Sequence, residues 1–577
     1  MNKEQLKNLI KKAKGKEKSE VVLKNVNLIN VFTKEIIKTN VAIDDGRIVG
    51  IGDYSGIEEI DLEGKYLSPG FIDSHVHIES SMSTPCQFAR AVLPRGVTSI
   101  VADPHEIANI KGLDGIRYMI EDSKKTPLDA YFVLPSCVPA TPFENSGAVL
   151  DAEKLRGLID GKQIIGLGEM MDYPGVINYS DDVLDKLIIG SESIIDGHGP
   201  MISDKDLNAY VAAGIKTEHE CSTSEEMIER LRLGMYILIR EGSATRDLKK
   251  LIGVVNKENL SRILFCTDDK HPEDLLKEGT IDYNIRLAIK AGIDPIDAIS
   301  IATINPSICY GLKNKGAIAP GYDADLVIID NLDDLNILKV YKKGKLVAEN
   351  NKALFNSEAY VPEYMEDTVN IKELNLNDLR IPMITDKANV IRVISDSIVT
   401  DISQRKVKVE DGYFSYSNDD ILKLVMVERH NKTGNIGLGL IENMKLKNGA
   451  IGSTIAHDSH NLIVAGDNDE DILLVIDELS KIGGGITIAS NGRILKSLSL
   501  EIGGIMTAKP IEETYGILKD MIDITYTELG VNNEIDPFMT LSFMGLPVIP
   551  KLKLTDMGLF NVEDYKFIEV SVPELSF

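Results

Sequence analysis

The chain has 577 residues, 43% hydrophobic and 26% charged, which is typical of soluble globular proteins and long enough for three or four domains. Its formal net charge of −26 argues against nucleic acid and anionic membrane surfaces as partners. No segment approaches the roughly 20 apolar residues of a membrane span, and the charged N-terminal segment lacks a secretory signal. Five scattered cysteines without a C-x-x-C pair indicate reduced thiols and a cytoplasmic protein.

Short strands are predicted on both sides of a central region. Residues 1–66 contain a charged helix and then strands with a tight turn at Asp45-Gly46. Residues 316–360 have the same character, with a second turn at Lys343-Gly344. Because the two β-rich segments bracket one region, we expect them to form one small β-sandwich domain together.

The central region, residues 67–315, alternates apolar strands with amphipathic helices. The predicted strands are Leu67–Ser74, Val97–Pro104, Ala130–Ser136, Gln163–Met170, Ser193–His198, Ile215–Glu220, Tyr236–Glu241 and Ile263–Asp268. The predicted helices include Asp204–Ala213, Ser224–Gly234 and His271–Ala291. Eight β-then-α units in about 250 residues match a (β/α)8 TIM-like barrel.

The remaining chain is predicted to form a further domain. Residues 361–385 are acidic and poorly periodic, as in a linker. Residues 386–577 alternate strands and helices with glycine-rich turns, which predicts a C-terminal α+β domain. The complete expected fold is therefore α/β, with a barrel, a β-sandwich built from both flanks, and this C-terminal domain.

Potential metal ligands follow the predicted strands of the barrel. His75 and His77 lie two apart at the end of the first strand, so both imidazoles project from one face. An H-x-H pair alone is weak evidence, since a surface or core pair is the ordinary alternative. Because barrel strands end at one rim, further strand-end groups converge on this pair. These groups are Glu169, His198, His219 and Asp268.

The order H-x-H, carboxylate, His, His, Asp resembles the amidohydrolase superfamily, as do the segments PGFIDSHVH and KGAIAPGYDADLVIID. Many members carry a carboxylated lysine at the end of strand four, where this chain has Glu169. Two further segments restrict the resemblance to one family within this superfamily. They are SSMSTPCQFARAVLPRGVTSIVADPHEIANI and IAHDSHNLIVAG. Over nearly its whole length the chain resembles the bacterial-type adenine deaminase family.

This resemblance implies hydrolysis of adenine to hypoxanthine and ammonia, by attack of a metal-bridging hydroxide at C6, in purine salvage and adenine catabolism. It implies two divalent metal ions, Mn²⁺ or Fe²⁺, with Zn²⁺ also compatible with the ligands. By position, His75 and His77 would hold one metal, and His198 and His219 the second. Glu169 would bridge the metals and Asp268 would complete the first site. We further expect adenine as the small-molecule partner and a cytoplasmic homo-oligomer, a dimer.

Two carboxylates are expected to move protons. Asp268 would carry the hydroxide proton to the leaving amine. Glu220, adjacent to His219, would protonate the ring; alternatively it is a solvated glutamate that opens the following helix.

Two further segments are predicted to contact substrate. His105 and Glu106 follow the second strand at the same rim, where they would line the pocket or bind an extra ion; the alternative is a Pro-containing turn with a capping Asp103. His457 and His460 lie in the segment shared with adenine deaminases, which suggests that the C-terminal domain leans over the barrel mouth. From spacing alone, that segment is interpreted as an ordinary loop.

Three other classes of protein fit the sequence less well. Zinc deaminases with H-x-E and P-C-x-x-C signatures are excluded, because neither motif is present. A cyclic amidase of the dihydroorotase type would use the same cluster, but it usually has the bridging lysine and lacks this C-terminal domain. A non-catalytic barrel scaffold should lack some of the six ligand positions, and all six are filled here.

Overall fold

The computed structural model describes residues 2–395, 397–417 and 420–573. Met1 and residues 574–577, at the outer ends of the first and last predicted domains, lie outside the described residues. The first segment contains one helix and five strands. They are α1 Lys3–Ala13, β1 Ser19–Asn30, β2 Glu35–Asp44, β3 Arg47–Ile51, β4 Gly56–Asp61 and β5 Tyr66–Pro69.

The central region contains parallel strands joined by helices. The strands are β6 Phe71–His77, β7 Val97–Ala102, β8 Asp129–Leu134, β9 Ile164–Met170, β10 Ile194–Gly197, β11 Thr217–Glu218, β12 Tyr236–Arg240, β13 Ile263–Cys266 and β14 Asp268–Asp269. The helices are α2 Pro85–Val92, α3 His105–Ser123, α4 Ala152–Leu155, α5 Tyr173–Ile177, α6 Asp181–Gly190, α7 Asp204–Ala212, α8 Ser224–Arg232, α9 Leu248–Leu251, α10 Pro272–Lys277, α11 Ile281–Lys290, α12 Pro295–Ile301 and α13 Ile304–Cys309.

These strands form curled parallel sheets, in the order β10-β9-β8-β7-β6-β14 and β11-β12-β13. Side chains cross both seams between the two sheets. At one seam, Thr217 donates its hydroxyl to Asp196 at 2.8 Å, and Lys216 N donates to Ile195 O at 3.0 Å. At the other seam, Thr267 N donates to Asp73 at 3.1 Å. Burial raises the pKa of both Asp73 and Asp196 to about 7.

Two predicted elements are wrong in extent. The predicted strand Leu67–Ser74 is two strands, because β5 ends at Pro69 and β6 begins at Phe71 in another sheet. Gly70 lies between them, where a Cβ would come within 2.2 Å of the Thr98 hydroxyl. The predicted helix His271–Ala291 is divided into α10 and α11, since Gly279 adopts φ +107 between them.

One nine-stranded sheet unites the two flanks of the central region. Its later strands are β15 Leu326–Ile329, β16 Ile337–Lys342, β17 Lys345–Glu349 and β18 Lys352–Ala353. The order is β18-β17-β16-β15-β5-β1-β2-β3, and β4 pairs with β1. Strand β5 joins the halves, because it pairs parallel with β1 and antiparallel with β15.

The C-terminal region follows a segment, residues 361–385, that contains two short 3-10 turns. Its strands are β19 Lys387–Val393, β20 Thr400–Lys406, β21 Lys408–Glu410, β22 Tyr413–Ser415, β23 Ile421–Val427, β24 Ile436–Glu442, β25 Gly449–Ser453, β26 Leu462–Gly466, β27 Gly485–Ser490, β28 Arg493–Ser499, β29 Leu552–Thr555, β30 Gly558–Asn561 and β31 Lys566–Phe567. Its helices are α14 Asp469–Lys481, α15 Ile511–Thr527 and α16 Pro537–Ser542. Eight of the strands form one sheet in the order β20-β19-β24-β23-β26-β25-β27-β28.

The C-terminal region packs on the loop that follows β8. Asp556 accepts hydrogen bonds from the backbone and side-chain nitrogens of Asn145 at 2.9 and 2.6 Å. Asn461 donates to the carbonyl of Asn145 at 2.8 Å, and Asn431 donates to that of Ser146 at 3.0 Å. These contacts place the loop between β25 and β26 over the ends of the central strands. Among the described residues, no helix is long and apolar enough to cross a membrane.

A buried ion-pair cluster fastens the flanking sheet to the central strands. Lys342 of β16 lies 2.7 Å from Asp129 at the start of β8 and 2.6 Å from Asp325. Lys315 also lies 2.6 Å from Asp325. Because these charges are out of water, each depends on its partners for compensation.

We expect Asp325→Asn to lower the free energy of unfolding by about 3–5 kcal/mol, because it leaves two buried ammonium groups with one fewer countercharge. Urea denaturation followed by circular dichroism measures the change. Lys343→Ala is the matched control, since the Lys343 side chain is 55% exposed and lies 3.5 Å from Asp129. The control should change stability by less than about 1 kcal/mol. Equal effects of the two substitutions would contradict a stabilising role for the buried cluster.

Candidate metal centre and active site

Glu169, the penultimate residue of β9, is the centre of the strand-end cluster. Its Oε2 atom lies 2.6 Å from His198 Nδ1 and 3.2 Å from His219 Nε2. Its Oε1 atom lies 3.3 Å from His77 Nε2 and 3.8 Å from His75 Nε2. The two oxygens of one buried carboxylate therefore each face a different pair of imidazoles, as a bridge between two ions requires.

Asp268 faces the first imidazole pair from β14. Its Oδ1 atom lies 3.1 Å from His77 Nε2 and 3.7 Å from His75 Nε2. Its Oδ2 atom accepts a hydrogen bond from Arg240 at 2.9 Å. All six sequence-predicted ligand residues thus lie together at the ends of the central strands.

The spacing and chemistry of these atoms fit divalent metal ions. The Nε2 atoms of His75 and His77 are 3.1 Å apart. Two ligands each about 2.1 Å from one ion, at an angle near 90–110°, lie about 3.0–3.4 Å apart. His77 Nδ1 lies 3.0 Å from the carbonyl of Asp103, to which it donates, so the lone pair of Nε2 faces the cluster. A set of imidazoles and carboxylates without thiolate suits Mn²⁺, Fe²⁺ or Zn²⁺.

The electrostatics of the cluster favour ionised carboxylates. Burial raises the pKa of Glu169, but hydrogen bonds from His105 and His198 outweigh it and hold the value well below its usual range. Burial likewise opposes ionisation of Asp268, yet His77 and Arg240 lower its pKa well below its usual range. The carboxylates therefore present negative charge to any bound cation.

Arg240, at the end of β12, was not among the predicted site residues. It forms ion pairs with Glu220, with Asp268 at 2.9 Å and with Asp247 at 3.3 Å. Burial raises the pKa of Glu220, but Arg240 outweighs it and lowers the value. The sequence held a signal for Arg240, because it is the penultimate residue of the predicted strand Tyr236–Glu241, at the rim that carries the other groups.

The segment around His105, which was predicted to contact substrate, also reaches the cluster. His105 Nδ1 lies 3.2 Å from Glu169 Oε1, so five imidazoles surround that one carboxylate. The Asp103 carboxylate accepts a hydrogen bond from the backbone N–H of Glu169 at 3.0 Å, which fixes the end of β9. Asp103 therefore supports the cluster from behind, through both its side chain and its carbonyl.

A second polar cluster joins the central and C-terminal regions. Glu106, in the first turn of α3, lies 2.5 Å from His457 Nδ1 and makes a close contact with His460 Nε2. All three side chains are buried. Their ligand-type atoms also lie close enough together to hold an ion. The structure thus brings the two predicted segments into direct contact.

The two clusters share one cavity of about 50 Å³, room for a few water molecules. It adjoins a cavity of about 990 Å³ that reaches outward between the central and C-terminal regions. Glu220 and Arg240 line both cavities. The inner lining includes His77, His105, Glu106, Glu169, His198, His219, Glu220, Asp268 and His457 among the residues discussed, whereas His75 and His460 lie behind it.

Apolar side chains of the C-terminal region complete the inner cavity. They are Ile398, Phe543, Leu546, Val548 and Ile549. Sequence reasoning missed them, and no local signal marks them, because ordinary apolar residues become cavity walls only through the packing of distant segments.

Comparison with known proteins assigns the family. Residues 66–347 match the amidohydrolase family, which agrees with the α/β content and curled parallel sheet, and residues 397–566 match the adenine deaminase C-terminal domain. The adenine deaminase of Clostridium acetobutylicum is 51% identical over 97% of this chain and 99% of its own length. Adenine deaminase 2 of Carboxydothermus hydrogenoformans is 48% identical over 98% of this chain and 100% of its own.

Among solved structures, a beta-aspartyl dipeptidase from Fervidobacterium islandicum has 18% sequence identity and a TM-score of 0.45, covering 58% of this chain and 98% of its own. The two adenine deaminases share about half of their residues with this chain. Their identity and near-complete coverage show that the chain belongs to the adenine deaminase family of the amidohydrolase superfamily.

Proposed function

We propose that this chain is an adenine deaminase that consumes one water and converts adenine to hypoxanthine and ammonia. One observation carries the proposal: a buried imidazole–carboxylate cluster opens into a cavity whose outer wall comes from the region that matches the adenine deaminase C-terminal domain. The relatives that share both regions over their full length are named adenine deaminases. The reaction recovers a purine base for salvage or catabolism.

The amidohydrolase family is metal-dependent, and the donor atoms of this chain fit two ions. In our proposal His75 and His77 would hold one, His198 and His219 would hold the other, Glu169 would supply one oxygen to each, and Asp268 would complete the first site. When bound, two divalent ions supply Lewis acidity that brings the pKa of water near 7. We favour Mn²⁺ or Fe²⁺, while the ligands also accept Zn²⁺.

Asp268 is proposed to move the proton released by the attacking water. One of its oxygens faces His75 and His77, while Arg240 holds the other at 2.9 Å. A carboxylate fixed in this way can accept a proton inside the cluster and deliver it to the departing amino nitrogen. The amine then leaves as neutral ammonia and C6 keeps the oxygen of the water. The second hydrogen of that water is released to solvent, which balances the proton that Glu220 supplies to the ring.

Glu220 is proposed to protonate the ring at N1, which carries hydrogen in the product. Its Oε1 atom lies 3.5 Å from His219 Nε2, and the residue lines both the inner and the outer cavity. Because Arg240 favours the ionised form of the Glu220 carboxylate, Glu220 must take up a proton from solvent before each donation to N1. His105, Glu106, His457 and His460 are proposed to build the substrate-binding wall, with His460 acting from behind it.

Several finer features belong to this proposal. We propose that the curled sheets close as a (β/α)8 barrel over residues 67–315, with the flanking sheet acting as a β-sandwich domain and residues 386–577 as an α+β domain. Hydrogen bonds across both seams support closure. Five cysteines without a disulfide among the described residues support a cytoplasmic location. We also propose that the protein forms a homodimer.

Ammonia release from adenine is the direct test of the function. Protein purified without chelator and reloaded with Mn²⁺ should release ammonia and form hypoxanthine from adenine, and should leave adenosine, cytosine and dihydroorotate unchanged. Ammonia assay and chromatography of the base measure both products. Failure on adenine with bound metal, together with opening of dihydroorotate, would contradict the deaminase proposal and favour a cyclic amidase.

Glu169→Gln should abolish turnover and weaken metal retention, because a neutral amide offers one oxygen in place of a charged bridge. Elemental analysis after dialysis, combined with the ammonia assay, measures both effects. The control Glu192→Gln changes an exposed residue and should behave as the unaltered protein does. Full metal content with a normal rate in the Glu169 variant would overturn the bridging assignment.

Glu220→Gln should lower kcat by about 10²–10⁴-fold, the usual contribution of a positioned general acid, while metal content stays unchanged. Steady-state kinetics and metal analysis on the same preparation separate these effects. Glu225→Gln, on the exposed face of the next helix, is the matched control. A loss of metal from the Glu220 variant would instead identify this residue as a ligand.

A further inference from the structure

The C-terminal region places one histidine at the inner cavity in a fixed orientation. His457 lies in the loop between β25 and β26, and its ring packs parallel to that of Phe543, with centroids 4.6 Å apart and planes at 22°. Both rings line the cavity. His457 Nδ1 lies 2.5 Å from a Glu106 oxygen, and since a carboxylate only accepts, Nδ1 carries the hydrogen.

The second imidazole at Glu106 has both nitrogens engaged. His460 Nδ1 accepts a hydrogen bond from the backbone N–H of Ala456 at 3.2 Å. Its Nε2 atom therefore carries the hydrogen and donates to the other oxygen of Glu106. A metal at Nε2 would need a lone pair there and would put a hydrogen on Nδ1, opposite the Ala456 N–H. The geometry thus favours a hydrogen-bonded triad over a third metal site.

His457 retains one unused nitrogen. Among the described residues, no hydrogen bond reaches its Nε2 atom, although the ring lines the cavity. Glu106 contacts the ring directly, and the charges of Asp269 and Asp458 also favour its protonated form. Burial lowers the pKa of His457, but Glu106 above all outweighs it and raises the value to about 9. At neutral pH the ring is then an imidazolium, and Nε2 offers an N–H.

We propose that His457 Nε2–H donates a hydrogen bond to a ring nitrogen of the purine, other than the N1 assigned to Glu220. Glu106 is a positioning residue that acts through His457, and His460 holds Glu106 from the opposite side. The ligand class is a 6-aminopurine base, whose remaining unsubstituted ring nitrogens are acceptors. The inference deepens the proposed function, on which it rests, and gives the C-terminal region a direct role in substrate recognition.

The test combines His457→Gln with adenine analogues in which N3 or N7 is replaced by C–H. We expect the substitution to lower kcat/KM for adenine about 10- to 100-fold, as for loss of a charged hydrogen bond. With the unaltered protein, the analogue that lacks the bonded nitrogen should show a similar loss in kcat/KM relative to adenine. The His457→Gln substitution should not lower kcat/KM for that analogue any further. Equal losses for every analogue would overturn the proposal.

Two variants separate positioning from folding. Because Glu106 acts through His457, adding Glu106→Gln to His457→Gln should give little further loss in kcat/KM. If the two residues acted independently, the fold-losses of the two single variants would multiply. His430→Gln is the control, since His430 lies in the same region, bonded at 2.7 Å to the Ser459 carbonyl, and a glutamine amide can keep that bond. Its kcat/KM should stay within about two-fold of the unaltered protein.

Two parallel measurements distinguish the possible failures. Metal content should be the same in the unaltered protein and His457→Gln, and loss of one metal equivalent would overturn the proposal in favour of a metal site at Glu106. Calorimetry with adenine and its analogues measures whether His457 contributes to binding of the base, independently of turnover. Absence of ammonia release from the unaltered protein would contradict the proposed function alone.

Discussion

Five imidazoles converge on one buried carboxylate, Glu169, and the rest of the site depends on that convergence. They come from the ends of four different strands, so each strand must end at the right height and on the right face. The backbone at Gly168 shows how tight this requirement is, because a Cβ there would lie 2.1 Å from an Asp103 oxygen. Asp103 itself holds the N–H of Glu169, so side-chain position and strand geometry are set together.

The wall opposite the cluster is held by polar groups buried in the C-terminal region. Lys553 donates to the carbonyls of Ile398 and Phe543, each at 2.9 Å, and both of those residues line the cavity. Burial lowers the pKa of Lys553 to about 7. Arg429 similarly donates to the carbonyl of His460. Directional bonds of this kind fix a wall more closely than apolar packing alone, which tolerates small slips.

Strand periodicity in the sequence was enough to predict the residues at the strand ends. It could not predict contacts that depend on packing between distant segments. Six ligand-type residues could be located because each follows an apolar strand, and parallel strands end at one rim. An apolar run does not reveal its partner, so the exchange of sheets at Gly70 was missed. The contact between Glu106 and His457 joins residues 351 positions apart, and no local pattern encodes it. Arg240 could have been predicted, since it lies one residue before the end of the predicted strand Tyr236–Glu241.

The pairing of β5 with β15 has a consequence for synthesis of the chain. Residues 66–69 must find residues 326–329, and at about 5–20 residues per second the ribosome needs roughly 10–50 seconds to make the segment between them. During that interval one edge of β5 has no native partner, and an open strand edge is a template for pairing with other chains. The nascent protein is therefore most in need of protection before residue 329 has been made, a little past the midpoint of its 577 residues.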